Sequence, residues 1–149
     1  MEEIKKYELT DEIKEWQGHT LHRIRALKDF EVSCDEVKAG DLGGWVEGEN
    51  NLSQYDNCWI FGDAKVFGKA EVFGKAKVFG KAEIFGKAKV SGDVLIFGNA
   101  KVFGDAKVFG KAKVSGDVLI FGKAKVSGNA EIFGNAEVCN ETLVQGERR

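Results

Sequence analysis

Residues Val72–Val90 read VFGKAKVFGKAEIFGKAKV, one six-residue phrase written three times and begun a fourth. The period decides the fold class. A helix with an apolar period of six smears its apolar residues around the axis, because 3.6 does not divide six. A plain strand alternates and has no use for a glycine in every unit. A short strand, a turn and a second short strand of the same length fit the pattern.

Outward from that stretch the phrase extends without a gap from Ile60 to the C-terminus, fifteen units in ninety residues. Position one is always Val or Ile, and position five is almost always Ala or Val. Position three is Gly except at Asn140. Strand alternation turns positions five and one inward and positions six and two outward. Positions three and four make the corner, where Gly supplies a positive φ that β-branched residues resist. Three sides close a triangle of eighteen residues, and five coils rise on the order of 24 Å at the usual strand spacing. Stacking buries an apolar column that no single coil could bury.

The phrase [IV]-x-G-x-[AV]-x resembles the hexapeptide repeat of left-handed β-helices, found in acyltransferases, γ-class carbonic anhydrases and many non-catalytic proteins. The resemblance implies an all-β fold, a left-handed triangular β-helix. Upstream, YELTDEIKEWQGHTLHRIRALKDF and VKAGDLGGWVEGENNLSQYDNCWIFGDAKV are similar to a leader that precedes such solenoids in uncharacterised bacterial and bacteriophage proteins. That resemblance implies a phage or prophage source. Two parts follow: residues 1–59 as cap and irregular first coil, and residues 60–149 as solenoid. Within the cap, Ile13–Trp16 and Thr20–Leu27 read as a hairpin about Gln17–Gly18. Asp41 to Val46, DLGGWV, reads as a tight turn into the first coil. A polar hairpin over one end protects the open sheet edges there.

The bulk numbers exclude little. The net charge is −2, yet residues 1–59 carry 7 basic against 14 acidic side chains, and residues 60–149 carry 15 against 10. Such asymmetry can guide contacts between ends or with partners. No apolar run approaches the roughly 20 residues of a membrane span, and the N-terminus lacks a secretory signal. Cys34, Cys58 and Cys139 are odd in number and widely spaced, which favours reduced thiols. A cytoplasmic protein without membrane contact is expected.

Chemistry is sparse. Family acyltransferases use a histidine base at a subunit boundary, and the carbonic anhydrases bind metal through three histidines. Here His19 and His22 are the two histidines, both in the cap. Three apart on a strand, they face opposite sides and do not chelate one ion. No phosphate loop, catalytic serine or cysteine set, cofactor site or metal site is evident. The expectation is a protein without catalysis through histidine.

The unusual feature is the outer surface. Ten of eleven Phe stand at position two, and residues eighteen apart align. Face one carries Phe67, Phe85, Phe103 and Phe121; face two carries Phe61, Phe79, Phe97 and Phe133; face three runs Phe73, Ser91, Phe109, Ser127 and Gln145. Aromatic ladders contribute roughly 0.5–1.5 kcal/mol per pair, but an unbroken apolar strip also marks an interface. Face one, with Leu119, Lys65 and Lys101 beside the rings, is expected to join copies into a homo-oligomer. Face three pairs Lys89, Lys107 and Lys125 with Phe, a pattern that tracks a nucleic-acid strand. The functional expectation is a non-enzymatic scaffold that binds a protein partner and interferes with a bacterial host or defence process. The alternatives are an acyltransferase with an atypical base, His19 or His22, and a nucleic-acid binder. No cofactor is expected.

Overall fold

Each hexad folds as a two-residue strand and a corner. Lys65–Val66, Glu71–Val72, Lys77–Val78 and Glu83–Ile84 are successive examples. The computed structural model describes residues 5–139 and the backbone of Leu143–Val144 and Glu147–Arg148. The remaining terminal positions, including Asn140 and Gln145, lie outside the described residues. Strands eighteen residues apart pair in parallel, Val66 with Ile84 and Ile84 with Val102. The result is a β-solenoid of about five turns, with three sheets as its sides.

Val66, Val72, Val78, Ile84, Val90 and Val102 are at most 1% exposed, and the position-five alanines from Ala64 to Ala130 are fully buried. The inward assignment of positions one and five is therefore observed. Corners stack as well as sides: Lys69 N donates to Gly86 O at 2.9 Å and Lys87 N to Gly104 O at 2.8 Å. That stacking makes glycine obligatory for two reasons. Gly74 has φ +75, and a Cβ there would meet Gly92 N at 2.6 Å. Position-two rings stack as expected, Phe67–Phe85–Phe103–Phe121 at 5.1, 4.9 and 5.1 Å with interplanar angles of 3 to 5°. On face two Phe79 and Phe97 stack at 4.7 Å.

Ahead of the coils lie β1 (Tyr7–Trp16), β2 (His19–Ala26), β3 (Phe30–Val32), β4 (Asp35–Val37) and β5 (Leu42–Val46). β1 and β2 form the hairpin, with Gln17 and Gly18 both at positive φ (49 and 84) in the tight turn. Both positive values belong to a turn of the I′ kind, whose twist suits a two-residue hairpin. β1 starts six residues earlier than expected because its pairing resumes beyond an irregularity between Leu9 and Ile13.

The segment read as a tight turn, DLGGWV, is instead strand β5. It pairs antiparallel with β2 on one side and parallel with Lys65–Val66 on the other. Its glycines serve close approach rather than turning. A Cβ on Gly43 would meet Ile60 O at 2.7 Å, and one on Gly44 would meet Ala64 O at 2.6 Å.

The cap closes the N-terminal end of the apolar column. Tyr7, Ile24, Ala26, Val32 and Val37 are buried in one cluster with Trp59 and Ile60. The Tyr7 hydroxyl donates to Leu52 O, and buried Lys6 donates to Asp56 O and Cys58 O, each at 2.6 Å. Lys77 pairs with Asp35 of β4. The hairpin does more than close an end. Its tip leans over the outer side of face one, where Leu21, Trp45 and Phe67 form a second buried cluster with Trp16 and Phe85 against it.

Candidate active site

Cross-strand pairing explains what meets under the hairpin tip. Trp16 and His19 flank the two-residue turn and are register partners, so both side chains leave the same side of the ribbon. That side is turned onto face one. Trp16 lies beside Lys65, whose Nζ is 4.2 Å from the indole centroid, and Trp16 Nε1 donates to Glu83 Oε1 at 3.2 Å. His19 packs on Phe67 with ring centroids 4.9 Å apart.

His19 Nδ1 stands 3.1 Å from both carboxylate oxygens of Glu47. A carboxylate accepts, so Nδ1 carries the hydrogen, and in the neutral ring Nε2 holds the lone pair. Glu47 is fixed from behind. Gly68 N donates to its Oε1 at 2.8 Å, and the amide of buried Asn51 accepts from Glu47 N and donates to Ala70 O. Burial pushes the Glu47 carboxyl up, but the hydrogen bonds from His19 and the Gly68 amide outweigh it and hold the group below its ordinary value. The His19 and Glu47 side chains remain 36% and 37% exposed. An oriented imidazole with an open nitrogen at the surface is the arrangement of a general base.

His22 is placed differently. Its Nδ1 faces Thr10 O at 3.1 Å within the hairpin, so it shares no partner with His19.

The residues expected to join copies fall into two groups. Phe67 and Lys65 are 2% and 6% exposed, covered by the chain's own hairpin. Phe85, Phe103, Phe121 and Leu119 are half-buried and continue face one beyond it. Lys101 lines a cavity of about 430 Å³ that Trp16, Lys65, Lys14 and Lys81 share. Sequence reasoning missed Glu47, Trp16, Lys14 and Lys81. The pairing of Trp16 with His19 was within reach, since a two-residue turn fixes which residues oppose; the Glu47 contact was not.

No family model matches the chain. It is 33% identical over 66 residues to an uncharacterized acetyltransferase, YdcK, of Escherichia coli (strain K12). The match covers 39% of this chain and 19% of that protein, so the chain spans about a fifth of the relative's length. This likeness overturns the expectation of a chain without enzymatic activity. That expectation looked for histidine inside the solenoid and set aside the two in the cap, yet the fold brings one of them onto the solenoid's side.

Proposed function

We propose that the protein transfers an acyl group from a thioester donor to a hydroxyl or amine, with His19 as the general base. The observation that carries this reading is the His19–Glu47 pair, which holds Nδ1–H and leaves Nε2 open beside face one. Similarity to an acetyltransferase supports the choice of reaction and of an acetyl donor.

In the reaction, Nε2 removes the acceptor's proton as its oxygen or nitrogen attacks the thioester carbonyl. The tetrahedral adduct collapses, the C–S bond breaks, and the imidazolium returns the proton to the departing sulfur. Glu47 is a positioning residue. It fixes the tautomer and stabilises the imidazolium while that charge exists. The leader's resemblance supports a bacterial or phage source, and the unbroken column of Phe85, Phe103 and Phe121 beyond the hairpin supports a copy-to-copy contact.

The test is thiol release from acetyl-CoA against a panel of amines and alcohols. The parent is expected to turn over, and His19→Ala to lose about 10²–10⁴-fold in rate. His22→Ala, whose partner lies within the hairpin, keeps most of it. A His19→Ala variant that works at the parent's rate removes the assignment.

A further inference from the structure

The cavity on face one has an electrostatic imbalance that the chain does not resolve by itself. Lysines 14, 65, 81 and 101 line it, against the carboxylates of Asp63 and Glu83. Lys65 is only 6% exposed. Its Nζ donates to the backbone oxygen of Asp63 at 3.0 Å and stacks on Trp16, and it makes no ion pair among the described residues. Glu83, its register partner, accepts from the Trp16 indole instead. Lys14 Nζ rests over the Trp45 ring at 4.6 Å, while Lys81 and Lys101 have no ion-pair partner among the described residues. Burial, with Lys14 nearby, pushes the Lys65 ammonium below its ordinary value, and Glu83 and Asp63 offset this in part.

The Lys65 ammonium has one backbone hydrogen bond and the Trp16 ring as its contacts and shares the cavity with three further cations, so an entering anion would be favoured there. The charges set its class. With two carboxylates already present, the four lysines leave an excess of two positive charges, which one carboxylate ligand would not neutralise. The volume, about 430 Å³, is within the range of small-molecule sites and larger than a lone phosphate needs. Lysines act as point charges on phosphate oxygens and demand no planar fork. We propose that this cavity binds the diphosphate group of a small phosphorylated molecule, with Lys65 at its floor and Lys81 and Lys101 at its rim. The site stands whether or not His19 acts as a base.

The proposal is tested by titration calorimetry of the full chain at low ionic strength with inorganic pyrophosphate and, separately, ADP. Saturable one-to-one binding is expected for both, and tighter binding of ADP identifies an ester rather than the free anion as the better ligand. Lys81→Ala with Lys101→Ala, both at the surface rim, should weaken binding about 100-fold with an unchanged melting temperature. Lys65→Met should weaken it at least as much. No saturable heat with either probe overturns the proposal, as does an unchanged affinity in the rim variant. So does a single-stranded oligonucleotide that binds through the rim lysines while pyrophosphate gives no heat.

Discussion

The coils from Lys65 to Val138 and the hairpin from Tyr7 to Ala26 reach order by opposite routes. In the coils every unit makes the same contacts, so a residue's role depends on its place in the hexad and hardly on its number. AKVSGDVLIFG begins at Ala88 and again at Ala112, a spacing of 24, which places the two copies on different faces. The stack accepts both. In the hairpin each residue has its own set of contacts: Trp16 meets Glu83, His19 packs on Phe67 and pairs with Glu47, and Leu21 is buried with Trp45 and Phe67. Repetition yields a rigid wall with few distinctive groups, and the single irregular ribbon laid against that wall supplies the chemistry.

Three experiments press on that contrast. The largest effect is expected inside the wall. Val102 is fully buried between Ile84 and Ile120, so Val102→Asp places a charge where no partner exists and should cost several kcal/mol. Thermal melting measures it, and a parent-like melting temperature means that the column does not hold the fold.

Next comes the outer side of face one. Phe85→Lys with Phe103→Lys removes three stacked pairs, at about 0.5–1.5 kcal/mol each. The parent is expected to sediment as a homo-oligomer and the variant as a monomer. A parent that is already monomeric reduces the ladder to an internal brace.

The smallest effect belongs to the seam. The Glu47 carboxyl titrates below its ordinary 4.5 in the folded chain, so its contribution is present above that value and fades as pH falls through the depressed one. Glu47→Gln should therefore melt lower than the parent near neutral pH, with the gap narrowing below pH 4.5. A gap that ignores pH shows that the pairing with His19 adds nothing to stability.

The wall was legible because a period of six with β-branched residues at one phase admits few structures. The turn at Gln17–Gly18 was legible for a similar local reason. What escaped was the lean of the hairpin. Trp16 meets Glu83 across 67 positions of sequence, a contact set by the twist of β1 and β2 and by the two glycines that let β5 approach the first coil. No periodicity contains that information. DLGGWV looked like a turn for the same reason, since paired glycines signal corners far more often than close-packed strands.

The outward charges of the first coils obey a parity rule. Position six reads Lys65, Glu71, Lys77, Glu83, Lys89, alternating with every hexad. A coil holds three hexads, an odd number, so charged neighbours within this run carry opposite signs, Lys65 beside Glu83 and Glu71 beside Lys89, while Lys77 lies beside Leu95. A chain that skipped one coil while folding would set Lys65 against Lys101, and like charges directly opposite are unfavourable. The alternation thus acts as a check digit, rejecting an even step and accepting an odd one. It lapses at Leu95, and on face three Lys89, Lys107 and Lys125 stack like on like. The charge pattern therefore specifies register in the coils next to the cap and not in the later ones.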